Sequence, residues 1–473
     1  MSKFVVATFG ILGVLSTGCA IEQREGDEAA VGRRLQRQST CTILGDTQVG
    51  SPRVYFSPFD PVEDQVLCAL DSATREVVVA HYNIRSERVL SKLVELRRRG
   101  VDVRVAVDAS NAENEWNEGD DRLAREGVKL VRFRPTASGA IMHLKATVID
   151  GVFGMSGSYN WNETASAGND ENMIAFRDPE LVARYRNQIL ELLGERPRSV
   201  ELARATPWAQ VHFAPEVQVD RSIVAAIDAA KTSVDVAMFT FTMRSISDAL
   251  VRAQKRGVHV RLIVEKKQQD FSDAEDRVAA AGALVVRAAN ETGPHSAMHQ
   301  KYAVIDTTRV ITGATNWTFS GTRSNEEDLL ILDQPALAAA YGANFRDLLR
   351  VYGGLDDGGA PRATSPVLFH GVRGDTAWGD QLVVVGSDPA LGSWNPWAGV
   401  PMGGEMFPNW TARARLAAGS TVEFKLVTLR ADGSVEWEPG PNRTLTLPAS
   451  GRAAVIGGTF GDTSKSWTPL GGR

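Results

Sequence analysis

The residues with the clearest chemical potential lie in 143–160, HLKATVIDGVFGMSGSYN. His143 and Lys145 are two apart, so an extended strand puts both side chains on one face. Asp150 closes that strand, and the small-residue turn Gly157-Ser158 presents Asn160. The pattern returns at 299–316 as HQKYAVIDTTRVITGATN, where His299, Lys301, Asp306, Gly313 and Asn316 keep the same offsets. The displacement is 156 residues at both ends (299 − 143 and 316 − 160), which is too regular for coincidence. An imidazole flanked by Lys and Asn suits a phosphate ester. It can attack phosphorus, or protonate a leaving oxygen near neutral pH. Lys supplies positive charge to the non-bridging oxygens. Asn, Ser158 and the N–H groups of a glycine turn add hydrogen bonds. Two histidines serve the two sides of an in-line displacement, and that scheme needs no metal or other cofactor. The sequence holds no close His/Cys/carboxylate cluster that suggests a metal.

A further matched pair follows from spacing: Glu171 lies 28 residues after His143, and Glu327 lies 28 after His299 (171 − 143 = 327 − 299). The copies differ at one place, Gly157-Ser158 against Gly313-Ala314, where Thr315 or Thr318 would have to replace the missing hydroxyl. A decayed, non-catalytic repeat is the bland alternative. Trp161 and Trp317 follow the two asparagines and are read as packing beneath the turns, with a substrate wall as the sharper reading.

The elements that must position these residues are themselves duplicated. RVYFSP at 53–58 matches QVHFAP at 210–215. Each is followed by an amphipathic helix (62–73 and 221–230) and an apolar strand (76–84 and 233–241). A second helix ending in a basic residue and Gly comes next, then VDVRVAVD or VHVRLIVE, a third helix, and KLVRF or LVVRA. Only then does the His-Lys strand arrive. This alternation predicts an α/β fold with helices on both faces of a mixed sheet. The expected divisions are 51–197 and 198–353 for the two halves, and 354–364, rich in Gly, Asp and Pro, for a linker. From 365 to 473 helical periodicity gives way to short β-rich runs, which predicts a small sandwich or barrel.

These motifs resemble the phospholipase D superfamily, whose HxKxxxxD…GSxN motif occurs twice per active site, over about residues 51–353. The resemblance implies two pseudo-symmetric α/β/α halves facing each other across the site, and a covalent phosphohistidine. By analogy His143 is the nucleophile and His299 the general acid, the reverse being open. Lys145, Lys301, Asn160 and Asn316 would hold the phosphate, while Asp150 and Asp306 would order strand ends. The resemblance further implies that Glu171 and Glu327 each hold an imidazole across the two halves. A monomer then suffices for activity. The tail segments GDQLVVVGSDPALGSWNP, TVEFKLV and GSVEWEPGPNRTLTLP resemble the starch-binding domain of family-20 carbohydrate-binding modules, as on glucoamylases. That implies glucose stacking on Trp394 and Trp437, with Lys425 and Asn442 bonding its hydroxyls. Val383, and Met406 or Phe407, stand where the family's second site uses Tyr. Trp378, Trp410 and Trp467 fit a sandwich core better.

Net charge is −5, a weak prior against polyanionic partners. The acidic stretch AENEWNEGDD at 112–121 points the same way if it lies near the cleft. The expected activity is therefore hydrolysis of a phospholipid to phosphatidic acid. The alternatives are a nuclease of the same superfamily, whose small bacterial members the GSYNWN turn resembles, and a non-catalytic glucan-binding protein. Residues 1–19 resemble a lipoprotein signal ending at a lipid-modified Cys19, with a plain secretory signal as runner-up. Residues 20–50 read as a flexible tether. An extracytoplasmic, membrane-anchored or secreted location would permit Cys41 to pair with Cys68; two unrelated thiols, with Cys68 buried on a helix, is the alternative.

Overall fold

The computed structural model describes residues 41–113, 119–200, 206–290, 296–353, 364–377, 379–406, 408–447 and 454–462. Cys19, Trp378, Phe407, Trp467, residues 20–40 of the expected tether and nearly all of the expected linker lie outside the described residues. Each half holds a seven-stranded mixed sheet. In the first, the spatial order is Arg53–Ser57, Glu171–Phe176, Phe153–Gly157, Lys145–Ile149, Glu76–His81, Asp102–Asp108, Lys129–Phe133. The second repeats that order with Ala209–Ala214, Glu327–Leu332, Arg309–Gly313, Lys301–Ile305, Ser233–Met238, His259–Glu265, Leu284–Ala288. The near-continuous Val/Ile runs of the central strands follow from burial on both faces. The expected strands 76–84 and 233–241 end three residues early, where Tyr82 and Phe239 leave the sheet.

Outer helices such as Val62–Asp71 and Glu87–Arg98 cover one face of the first sheet, and Val219–Asp228 and Arg244–Lys255 cover the matching face of the second. The inner faces share one core, built from both sheets and the helices Pro179–Leu192 and Pro335–Gly353. A buried polar network crosses this core. Asp328 accepts from Tyr185 Oη (2.5 Å) and Ser156 Oγ (2.6 Å), while Asn172 Oδ1 accepts from Tyr341 Oη (3.0 Å) and Thr312 Oγ1 (3.1 Å). Buried polar atoms with such complete pairing fix one mutual orientation of the halves, because any slip would strand them unpaired.

Residues 41–50 depart from the tether expectation. They are tied down by a Cys41–Cys68 disulfide, by Gln65 Oε1 accepting from Ile43 N (3.0 Å), and by Asp178 accepting from Gly50 N. Ile43 is fully buried in the first half, so the apolar residue and the cross-link order a segment whose composition is polar. The C-terminal sandwich has one sheet built around Thr364–Val372 and Asn409–Ala417 and another around Gln381–Gly386 and Thr421–Leu429. Its core includes Phe369, Phe424, Leu426 and Trp410, whose Nε1 donates to Arg373 O (3.0 Å).

Candidate active site

Each His-Lys strand is anchored one residue ahead of its histidine. Asp108 Oδ2 accepts from Met142 N (2.8 Å), and Glu265 Oε2 accepts from Met298 N (2.7 Å). The strands cross between halves at this point. His143 N donates to Glu326 O (2.9 Å), and His299 N donates to Asp170 O (3.0 Å). That crossing brings the matched glutamates to the opposite imidazoles. His143 Nδ1 lies 2.8 Å from Glu327 Oε2, and His299 Nδ1 lies 2.8 Å from Glu171 Oε2. Glu327, not its neighbour Glu326, meets the ring; Glu326 pairs with Arg198 at 2.5 Å. Behind each glutamate stands an amide: Asn169 Nδ2 donates to Glu171 Oε1 (3.0 Å) and Asn325 Nδ2 to Glu327 Oε1 (3.1 Å). Each imidazole and its carboxyl partner thus share a proton at Nδ1, and Nε2 of each ring is left as the reactive nitrogen.

Lys145 Nζ donates to His143 O (2.7 Å) and Lys301 Nζ to His299 O (2.9 Å), so both ammonium groups sit beside the rings. All four side chains are nearly buried. Burial, together with the charges of Lys145 and Lys301 and the nearby His299 ring, holds His143 well below the usual histidine value. Burial lowers His299 to about 4, against the opposing pull of Glu171. It lowers Lys145 to about 8 and Lys301 to about 7, and raises Glu327 to about 8. The site is thus arranged to shed charge in a low-dielectric setting, and a bound anion would stabilise both lysines in their charged form.

Asn160 and Asn316 carry buried amide oxygens without a partner among the described residues. The two ends of an amide exchange by rotation, which would aim either NH2 group at an anion. The turns ahead of them need glycine. At Gly157 (φ +142°) an added Cβ would lie 2.4 Å from Asn172 O, and at Gly313 (φ +128°) 2.4 Å from Asp328 O.

Other residues fall elsewhere. Ser158 was expected to donate to phosphate, but it is fully buried and its Oγ accepts from Asn172 N (2.9 Å), because the turn folds back on the neighbouring strand. The hydroxyl missing at Ala314 is therefore a strand contact, and Ala314 N instead donates to Asp328 Oδ1 (2.8 Å). Thr315 and Thr318 do not replace it: the first donates to Asp328 O and the second caps the helix Phe319–Arg323. Asp150 and Asp306 lie at the far ends of the His-Lys strands. Asp150 accepts from the N–H groups of Thr74, Arg75 and Glu76, and Asp306 from those of Lys231, Thr232 and Ser233. They are strand clamps, placed apart from the imidazoles. Trp161 stacks on His81 at 4.5 Å and Trp317 packs edge-on against Phe241, both beneath the turns. Within the acidic stretch 112–121, Asp120 is buried and paired with Arg132 (2.9 Å), while residues 114–118 lie outside the described residues.

Two aromatic side chains flank the imidazoles. Tyr82 stands 5.1 Å from the His143 ring and Phe239 stands 4.4 Å from that of His299, and each also faces the nearby lysine. Their signal was available in EVVVAHYNI and SVDVAMFTF, where both follow the strand at matching places.

In the sandwich, Trp394 and Trp437 have ring centroids 6.4 Å apart with planes tilted by 39°. Trp437 pairs in register with Val427, whose side chain joins Val383 and Val385 on the outer face of its sheet. Lys425, expected to bond sugar, instead donates to Glu438 O (3.0 Å), Gly440 O (2.7 Å) and Pro441 O (3.3 Å). Its three protons hold the loop that carries Asn442, whose Nδ2 donates to Glu423. Val383 is buried among Val385, Val427 and Leu429 on this face, with Trp394 and Trp397 packed against the group.

Fold and site define a duplicated α/β protein with one composite, two-histidine centre. The chain belongs to the family described as "Cardiolipin synthase, PLD-like domain", which matches residues 66–193 and 223–349. A "Starch binding domain" matches residues 364–456. The mitochondrial cardiolipin hydrolase of Xenopus tropicalis is 33% identical over 123 residues, covering 26% of this chain and 57% of the relative. The thermophilic beta-amylase of Thermoanaerobacterium thermosulfurigenes is 38% identical over 96 residues, covering 20% and 17%. The chain thus spans little more than half of the first relative and a small part of the second. The phosphatidylserine synthase structure from Haemophilus influenzae Rd KW20 shares the fold, with a TM-score of 0.51 at 14% identity over 63% of this chain and 87% of that one.

Proposed function

We propose that the chain is a phosphodiesterase that hydrolyses a phospholipid to phosphatidic acid, held on a starch-like glucan by its C-terminal module. The observation that carries the reading is the convergence of two imidazoles, each seated on a carboxylate of the opposite half, with two lysines beside them. His143 Nε2 attacks phosphorus, and the bond from phosphorus to the departing alcohol breaks. His299, protonated at both nitrogens once the negative charge of the diester is bound beside it, gives that oxygen its Nε2 proton and is left neutral with Nδ1–H on Glu171. Water then attacks the phosphohistidine while His299 takes a proton back, and the P–N bond breaks to release the phosphomonoester. Lys145 and Lys301, with the amides of Asn160 and Asn316, stabilise charge on the non-bridging oxygens. The name of the frog relative, a cardiolipin hydrolase, supports a lipid diester.

The test is a substrate panel with EDTA present: phosphatidylcholine vesicles, single-stranded DNA and a chromogenic phosphodiester. Choline release that His143→Ala reduces about 10³-fold or more is expected. DNA cleavage without choline release would replace the lipid by nucleic acid, and no turnover of any diester would leave a glucan-binding protein. For the module, Trp437→Ala is expected to lose retention on amylose; unaltered retention would move the glucan site elsewhere. A membrane-anchored or secreted, oxidising location is proposed on the Cys41–Cys68 bridge and the Cys19 pattern, and a thiol count on protein from the native host checks it.

A further inference from the structure

The starch-binding sandwich meets the α/β halves through the outer face of one sheet. Along Asn409–Ala417 the inward residues Trp410, Ala412, Ala414 and Leu416 fill the sandwich core, so Arg413 and Arg415 point outward. Arg415 pairs with Asp347 of the helix Pro335–Gly353, and its guanidinium lies 4.6 Å from the Phe59 ring. Arg413 goes deeper. Its Nη1 donates to Asp170 Oδ1 at 2.6 Å and its Nη2 to Asn290 Oδ1 at 3.3 Å, with both ends of the ion pair buried. Asp170 Oδ2 also accepts from Tyr352 Oη and from Asn290 Nδ2. Asn290 Nδ2 in turn donates to Gly168 O (2.9 Å) and Ala297 O (3.1 Å).

Asp170 is the residue on which the His299 arm rests. Its N–H donates to Ala297 O (3.0 Å) and its carbonyl accepts from His299 N (3.0 Å). The next residue, Glu171, holds the His299 ring. The matching residue on the other arm, Glu326, carries the same backbone bonds to Ile141 and His143 but is paired with Arg198, from the segment joining the halves. One arm is therefore braced from within the duplicated fold, and the other from the glucan-binding module.

We propose that Arg413 is a positioning residue for the phosphodiesterase centre, seating the Asp170-Glu171 strand start so that Glu171 holds His299 in its reactive orientation. The module is then part of the catalytic unit as well as a tether. The tryptophan face lies on the other sheet, so glucan binding and this docking are compatible. Burial already pushes the Asp170 carboxyl up, against the pull of Arg413. Without the guanidinium, Asp170 either takes a proton or leaves an unneutralised charge beside Glu171 and His299.

The inference rests on the phosphodiesterase reading, and the wild-type chain separates the two. If wild type turns over no diester, that reading and this role fall together. With an active wild type, Arg413→Met in the full chain is expected to lower kcat on the chromogenic diester about tenfold or more, with KM within about twofold. Its kcat–pH profile is expected to move to higher pH, because an uncompensated carboxylate raises the pKa of His299. Arg413→Lys is expected to recover part of kcat. Arg415→Met, which breaks a docking contact away from the arm, is expected to leave kcat and the profile unchanged. Amylose retention and the unfolding temperature are followed in parallel. The proposal is overturned if folded Arg413→Met matches wild type in kcat and profile, or if Arg415→Met lowers kcat equally. Should Arg413→Met fail to fold, a wild-type kcat and profile in Arg413→Lys overturns it as well.

Discussion

His143 and His299 stand at the same place in two copies of one strand, yet their supports are unlike. Both rings rest on a glutamate from the opposite half, and both glutamates on an asparagine two residues earlier. Beyond that shell the copies diverge. The first turn uses Ser158 to receive Asn172 N–H, whereas the second has Ala314 and uses the Asp328 carboxylate. After the asparagines, one copy forms the π-turn Thr164–Gly168 and the other the helix Phe319–Arg323. Asp170 is held by the C-terminal module and Glu326 by the inter-half segment. The chemistry demands two equivalent imidazole-carboxylate pairs. Nothing demands that the parts holding those pairs be equivalent, and there the duplicated chain has diverged.

Removing the shared shell is expected to have the largest effect. Glu171→Gln and Glu327→Gln should each lower kcat about 10–100-fold, since an amide holds the ring without stabilising an imidazolium. Unequal losses in single-turnover assays would assign the roles: the acid's partner affects formation of the phosphohistidine and its hydrolysis, the nucleophile's partner chiefly formation. Equal losses in both steps would sink the assignment of distinct roles.

The pH dependence should be smaller and shared. Lys145 at about 8 and Lys301 at about 7 are cationic below those values. Binding of an anionic diester that needs both charges is present at lower pH and lost as pH rises through 7 to 8, so KM should rise there. Since His143 is held well below the usual histidine value, it stays neutral through mildly acid pH, and the nucleophile should not be lost between pH 5 and 7. A KM independent of pH between 6 and 9 would show that the lysines do not carry the substrate charge.

The smallest effect belongs to the turn. Ser158→Ala leaves Asn172 N–H buried without its partner, which should cost about 1–3 kcal/mol in denaturant unfolding. Catalysis should fall less than about threefold, because the hydroxyl faces the strand and not the imidazoles. A large kcat loss at unchanged stability would return Ser158 to the phosphate.

Much of the fold was legible because duplication doubles every signal. The strands at 129–133 and 284–288 match the expected segments end to end, and the cross-half glutamate pairs were found from spacing plus family resemblance. The legible parts are periodic or repeated. Tyr82 and Phe239 stand at matching places past two duplicated strands, but a residue just beyond a strand end carries no mark that separates a cleft wall from a loop residue. Ser158 and Lys425 were misplaced for another reason: polarity in a turn does not say whether a donor points to a ligand or to backbone. Arg413 shows the same limit, since TARARL announces two arginines on one face but not what covers them.

The sequence by itself determined the duplication, the residue types of a phosphate-handling centre and the β-rich tail, since these depend on composition, spacing and strand or helix period. Only the tertiary structure decided that each imidazole closes to 2.8 Å on its carboxyl partner, that Glu326 is braced by Arg198, and that the module's Arg413 reaches Asp170. Those choices depend on contacts between residues 128 to 243 positions apart, whose pairing is set by shared burial and hydrogen-bond satisfaction and leaves no local trace in the chain.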